Sequence, residues 1–141
     1  TCTDADFLKI VRPGTRLKNL FLRDNYGRRH FLLITEHDKN VDLKALTKQL
    51  GVSRLGFASE ARLEKYLDVK PGCVSMLALV NDQNKDVELL VDQSIWNSAL
   101  LHCHPLINTA TWILTKSDIM KFLERTGHKA IEIRVPSRKT E

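Results

Sequence analysis

Two apolar runs, Leu20-Phe21-Leu22 and the stretch from His30 to Thr35, stand on either side of Asp24-Asn25-Tyr26-Gly27. Turn formers between two β-compatible runs predict a hairpin, and a hairpin commits both strands to one antiparallel sheet. The same spacing recurs. The apolar run from Val74 to Val80, broken at Ser75, is followed by the polar turn Asn81 to Lys85 and by a returning strand from Val87 to Val91. Leu100 to His104 and Thr109 to Leu114 read as two further strands around Pro105. Connections this short cannot hold the crossover that a parallel pair requires. The expected fold is therefore a single α/β domain, with a mixed, mostly antiparallel β-sheet flanked by helices.

The helices announce themselves by their ends. Thr3-Asp4 is a cap for a short helix that reaches Ile10 and is ended by Pro13-Gly14. From Asp42 to Leu50, residues Leu43, Leu46 and Leu50 share one helical face, and Gly51 stops the helix. Arg54 to Ala58 is a short strand, after which Ser59 caps a helix through Leu67, and Pro71-Gly72 makes a turn. Thr115-Lys116-Ser117-Asp118 has capping-box spacing, ahead of a helix that buries Ile119, Phe122 and Leu123 and ends at Gly127. Ala130 to Val135 alternates as a last strand, and a polar tail follows over 136–141.

With 141 residues, 43% hydrophobic and 28% charged, the chain suits one core and a soluble globular class. No apolar run approaches the roughly 20 residues that span a bilayer. Three widely spaced cysteines (Cys2, Cys73, Cys103) argue against a disulfide framework and for a reducing compartment, so a cytoplasmic protein is expected. No signal peptide is visible, although the chain begins at Thr1. The net charge is +5, and residues 1–30 hold seven basic side chains against three acidic ones. That asymmetry fits a phosphate-bearing partner, and equally a solvated basic face.

Three stretches could carry chemistry. In His102-Cys103-His104 the two imidazoles of a strand would share a side, which permits two metal ligands. Zinc sites want three or four ligands, however, and no Cys-x-x-Cys or His-x-x-x-His supplies the others. A cysteine nucleophile there would point away from both neighbouring histidines. Gly-x-Ser-x-Gly and the Walker and Rossmann glycine patterns are absent, which weighs against covalent hydrolysis and nucleotide-fold chemistry. Lys18-Asn19 directly precedes Leu20-Phe21-Leu22, where a lysine can lean over a sheet edge towards an anion. The turn at Gly72 could offer backbone N–H groups to a carbonyl oxygen gaining charge. Taken singly, each stretch also reads as ordinary surface, turn or structural histidine.

Together, "KNLFLRD", "PGCVSMLAL", "VNDQNKDVELLVD" and "HPLINTAT…SDIMKFLERTGH" closely resemble, in the same order, the YbaK-like prolyl-tRNA editing family. The likeness covers residues 1–135, and it implies the YbaK-like fold over that span. Members carry a further helix and strand before the position of Thr1, so the resemblance implies an N-terminally truncated domain. It lies nearest the free-standing branch that removes alanine from proline tRNA. Carried over by position, Lys18 and His104 are the catalytic pair: the lysine holds phosphate and the tRNA 3′ end, and the histidine shapes the pocket beside the ester. Asn19 accompanies Lys18, and Pro105, Asn108 and Thr109 follow His104. Gly72 opens the Gly-x-x-x-Pro loop that borders the amino acid, which brings in Cys73, Ser75 and Met76.

The implied activity is hydrolysis of an aminoacyl-tRNA ester without metal or cofactor. The expected partners are the tRNA acceptor end and prolyl-tRNA synthetase, with no membrane. One departure bears on substrate choice: the loop ends in Met76 where the family has proline, and methionine lacks the stiffness of proline. Removal of cysteine or serine, and a non-catalytic tRNA- or synthetase-binding module, are the alternatives.

Overall fold

The computed structural model describes residues 17–70, 74, 76–96, 100–103 and 112–138. The elements run β1 (Leu17–Arg23), β2 (His30–Glu36), α1 (Leu43–Leu50), β3 (Gly56–Phe57), α2 (Glu60–Leu67) and a 3-10 helix (Met76–Asn81). They continue with β4 (Val87–Asp92), α3 (Gln93–Trp96), β5 (Leu100–Cys103), β6 (Trp112–Thr115), α4 (Lys116–Thr126) and β7 (Ala130–Ile133). The expected helix over residues 3–10 lies outside the described residues.

One sheet of five strands, in the order β3-β1-β2-β4-β7, forms the frame, and β5 pairs antiparallel with β6 beside it. The β1–β2 hairpin runs in continuous register from Leu17 opposite Glu36 to Arg23 opposite His30. Its turn is held by the Asp24 carboxylate, which accepts the backbone N–H groups of Arg28 at 2.8 Å and Arg29 at 3.2 Å. Gly27 takes a φ of 67°, a left-handed conformation that most side chains resist.

The sheet is mixed, but one half is built otherwise than the turn lengths suggest. Of the apolar run expected as a strand over 74–80, residues 76–80 fold instead into the 3-10 helix. From Met76 to Val80 every residue is apolar, which leaves no period by which strand and buried helix could be told apart. Met76, Leu77, Ala78 and Leu79 are all buried, and Asn81 Nδ2 donates to the carbonyl of Leu67 at 2.9 Å. Relieved of that partner, β4 pairs in parallel with β2 on one side and β7 on the other. The polar turn before β4 does form. Asp82 accepts the N–H groups of Asp86 and Val87 and meets His128 Nε2 at 2.9 Å.

Alternation in the strands gives two cores. On one face Leu32, Ile34, Leu89 and Val91 pack under α2, the 3-10 helix, Ile95 of α3 and Ile119 and Leu123 of α4. On the other, Leu22, Phe31, Leu33 and Leu90 pack beneath Leu46 of α1. Asp42 caps α1 by accepting the Ala45 N–H at 3.0 Å, and Gly51 ends it at φ 66°. The last strand stops at Ile133, yet Val135 is buried with the α1 core. The segment expected as a free tail from Pro136 pairs back at its start. Asp42 N donates to Pro136 O at 2.9 Å, and Arg138 N to Asn40 O at 2.7 Å. Among the described residues no helix is long and apolar enough to cross a membrane.

Candidate functional site

Lys18 and Asn19 sit at the second and third positions of β1, where a strand begins, as their place before Leu20-Phe21-Leu22 predicts. Adjacent strand residues project to opposite faces. Lys18 shares the α1 face with Leu20 and Leu22, whereas Asn19 falls on the α2 face with Leu17 and Phe21.

The half-buried Lys18 ammonium donates to the carbonyl oxygen of Lys39. That bond uses one of its three N–H donors. Lys39 is itself anchored: its own ammonium meets Asp92 Oδ2 at 2.5 Å and the Val135 carbonyl at 3.1 Å. Asp92, buried at the last position of β4, also accepts the Thr35 hydroxyl at 2.6 Å and the Ser94 N–H at 3.2 Å. Burial alone would push this carboxyl up. The hydrogen bonds from Lys39, Thr35 and Ser94 outweigh it and hold the group below its ordinary value. The carboxylate therefore stays charged and fixes the segment that carries the Lys39 carbonyl.

Beside Lys18 opens a cleft of about 550 Å³, lined also by Leu20, Val41, Leu43, Lys44, Phe57 and Arg138. Three cations face one carboxylate, that of Asp42, which already serves as the α1 cap. Among the described residues the lining carries no histidine, cysteine or serine, and its three cations suit an anion.

Met76 is 3% exposed and belongs to the core on the α2 face, the side opposite Lys18. Gly72, Cys73, Ser75, His104, Pro105, Asn108 and Thr109 lie outside the described residues. The chain enters and leaves the segment 104–111 through Cys103 and Trp112, which are paired in β5–β6. β5 lies against β1, the strand of Lys18 and Asn19. Sequence reasoning missed Thr35, Lys39, Asp92 and Arg138. A usable signal existed for two of them: Thr35 and Asp92 are polar residues directly after the apolar runs 31–34 and 89–91.

A second polar cluster lies on the α2 face. His30, 1% exposed, stacks on Phe21 with centroids 5.7 Å apart and against Tyr66 at 4.0 Å. Burial first, and the Arg62 guanidinium second, push its pKa down. Arg62 Nη1 lies 3.0 Å from His30 Nε2, a geometry in which the imidazole is the neutral acceptor.

Residues 1–122 match the family model of the aminoacyl-tRNA editing domain. The chain is 40% identical over 135 residues to the prolyl-tRNA editing protein ProX of Acetoanaerobium sticklandii, covering 94% of this chain and 82% of that one. It is 38% identical over 120 residues to prolyl-tRNA synthetase associated domain-containing protein 1 of Danio rerio, covering 84% and 65%. The fold matches a solved structure of a candidate trans-editing enzyme for prolyl tRNA synthetase, with a TM-score of 0.69 at 17% identity, over 96% of this chain and 80% of that one.

Proposed function

This chain belongs to the aminoacyl-tRNA editing domain family and is an aminoacyl-tRNA hydrolase, and on that premise we propose that it is a trans-editing deacylase of mischarged tRNA(Pro), with alanyl-tRNA(Pro) as its substrate. The observation that carries the proline assignment is the extended identity to a protein named for prolyl-tRNA editing.

An aminoacyl ester is already activated. Its hydrolysis needs a placed water, a polarised carbonyl and a pocket that excludes the wrong amino acid. In this reading the Lys18 ammonium takes a phosphate at the tRNA 3′ end, with Asn19 beside it in the strand. His104 and Pro105 form the wall next to the ester, and Asn108 and Thr109 continue it. The loop from Gly72 through Cys73 and Ser75 borders the amino acid. Met76 acts on that loop through its packing in the core. The substrate's own ribose hydroxyl positions the water, so no side chain needs to be a strong base, and neither metal nor cofactor is required. The setting is the cytoplasm, and prolyl-tRNA synthetase is the second partner.

Met76, in place of a stiffening proline, favours one further reading, in which the residue removed is cysteine or serine. Pockets that differ by about a methylene discriminate by only about 1–3 kcal/mol. The deciding experiment offers purified protein a panel of alanyl-, cysteinyl-, seryl- and prolyl-tRNA(Pro). Alanine should be released and proline retained. Release of none above the spontaneous rate, at micromolar protein, removes the proposal.

A further inference from the structure

Phe57 is 61% exposed on β3, the short strand at the edge of the sheet. A lone apolar residue at the surface calls for no explanation. This ring, however, forms a wall of the cleft that also presents Lys18, Lys44 and Arg138. Arg138 is held at that wall by main-chain bonds, since its N–H donates to Asn40 O and Pro136 O accepts from Asp42 N. An open aromatic face among cations suits unpaired nucleotides, whose bases stack on the ring while their phosphates meet the positive charge. The apolar part of the lining (Leu20, Val41, Leu43) matches a base better than a hydrated ion, and about 550 Å³ falls within the usual range for small-ligand pockets.

We propose that this cleft is a docking subsite for an unpaired nucleotide of the single-stranded 3′ end of tRNA. The base lies on Phe57, and the flanking phosphates are met by Lys18, Lys44 and Arg138. The proposal rests on the reading above that the substrate is a tRNA. It adds a stacking residue and two further phosphate contacts, Lys44 and Arg138.

The test measures binding of the full chain to uncharged tRNA(Pro), and to the same tRNA with its unpaired 3′ tail trimmed away. Phe57→Ala should weaken binding to the intact tRNA about tenfold or more and leave the trimmed tRNA unaffected. Phe57→Trp should restore the difference. Arg138→Gln should flatten the log–log salt dependence by about 0.7 for the single-strand phosphate it no longer contacts. Because Phe57 is exposed, an unchanged circular-dichroism melt confirms that the variants are folded.

Phe57→Ala that leaves binding to intact tRNA unchanged, or weakens both forms equally, overturns the subsite. The two readings also fail separately. A chain that deacylates alanyl-tRNA(Pro) without regard to Phe57 keeps the function and loses the subsite. A chain that deacylates none of the panel, yet binds the tail through Phe57, does the reverse.

Discussion

Removing the Lys39 side chain strands a buried carboxylate, and the consequence can be worked from the geometry. Asp92 is 2% exposed and its ammonium partner 17%, with 2.5 Å between them. At an effective dielectric near 20 their attraction is about 6–7 kcal/mol. Desolvating the two ions costs several kcal/mol each, so the intact pair is close to neutral in net effect. Lys39→Ala removes the attraction and leaves the desolvated Asp92. Loss of one partner of a buried pair costs about 3–5 kcal/mol. The lower figure applies here, because the Thr35 hydroxyl and the Ser94 N–H still donate.

A loss of about 3 kcal/mol in a domain of this size lowers Tm by roughly 12 °C, read by circular dichroism. The pH dependence carries the sharper check. In the parent, Asp92 is held below its ordinary value of 3.8 and stays charged in mild acid. In the variant, burial without the cation raises it, so the group takes up a proton and the gap between the two proteins narrows as pH falls towards 4. Lys39→Met combined with Asp92→Leu should recover most of the stability. A loss under about 1 kcal/mol, or a gap that stays constant with pH, would refute the reasoning.

Lys18→Ala should abolish most deacylation in the tRNA panel while changing stability by no more than about 1 kcal/mol, since it forgoes one hydrogen bond; parental activity would reassign Lys18 to structure. The depressed pKa of His30 makes the unfolded chain the stronger proton binder. Stability should thus be level above about pH 7 and fall below about pH 6.5, by at most about 1.4 kcal/mol per pH unit for this group. Urea titrations across pH 5–8 on the parent and His30→Phe would show whether that slope belongs to His30. Gly51→Ala should cost about 1 kcal/mol by denaturant midpoint. A Cβ there meets nothing within 4 Å, and the φ of +66° supplies the whole penalty.

What could be read in the sequence was local. Asp24 and Gly27 mark the hairpin because a turn is decided by its own four residues. Asp42 and Gly51 bracket α1 because a cap is decided by the residues it caps. The 3-10 helix was hidden because Val74 to Val80 lacks any periodicity, and its conformation answers to its packing against α2 and α4. Of the candidate site, the place of Lys18 at the head of β1 was legible, while its role came only from the family resemblance. The support of that lysine was not legible. The bonds from Lys39 to Asp92 and to Val135 join residues 53 and 96 positions apart. No pattern along the chain tells which distant strand ends become neighbours. Arg138 reads as part of a polar tail for the same reason: only the folded chain pairs it with Asn40.

The two seams of β2 form on different schedules. Along β1 its partners are close in the chain, and hairpins of this kind close within about 1–10 μs. Along β4 they are distant, with Thr35 and Asp92 separated by 57 residues. Closing that span is slow because the intervening chain must surrender its freedom before any contact rewards it. On the ribosome the interval lengthens to that of synthesis itself, about 3–10 s for those residues at about 5–20 residues per second. Throughout it, Phe31-Leu32-Leu33-Ile34 offers an unpaired edge to whatever chain is nearby. The parallel seam that completes the sheet is thus also where a nascent copy is most exposed to misassembly.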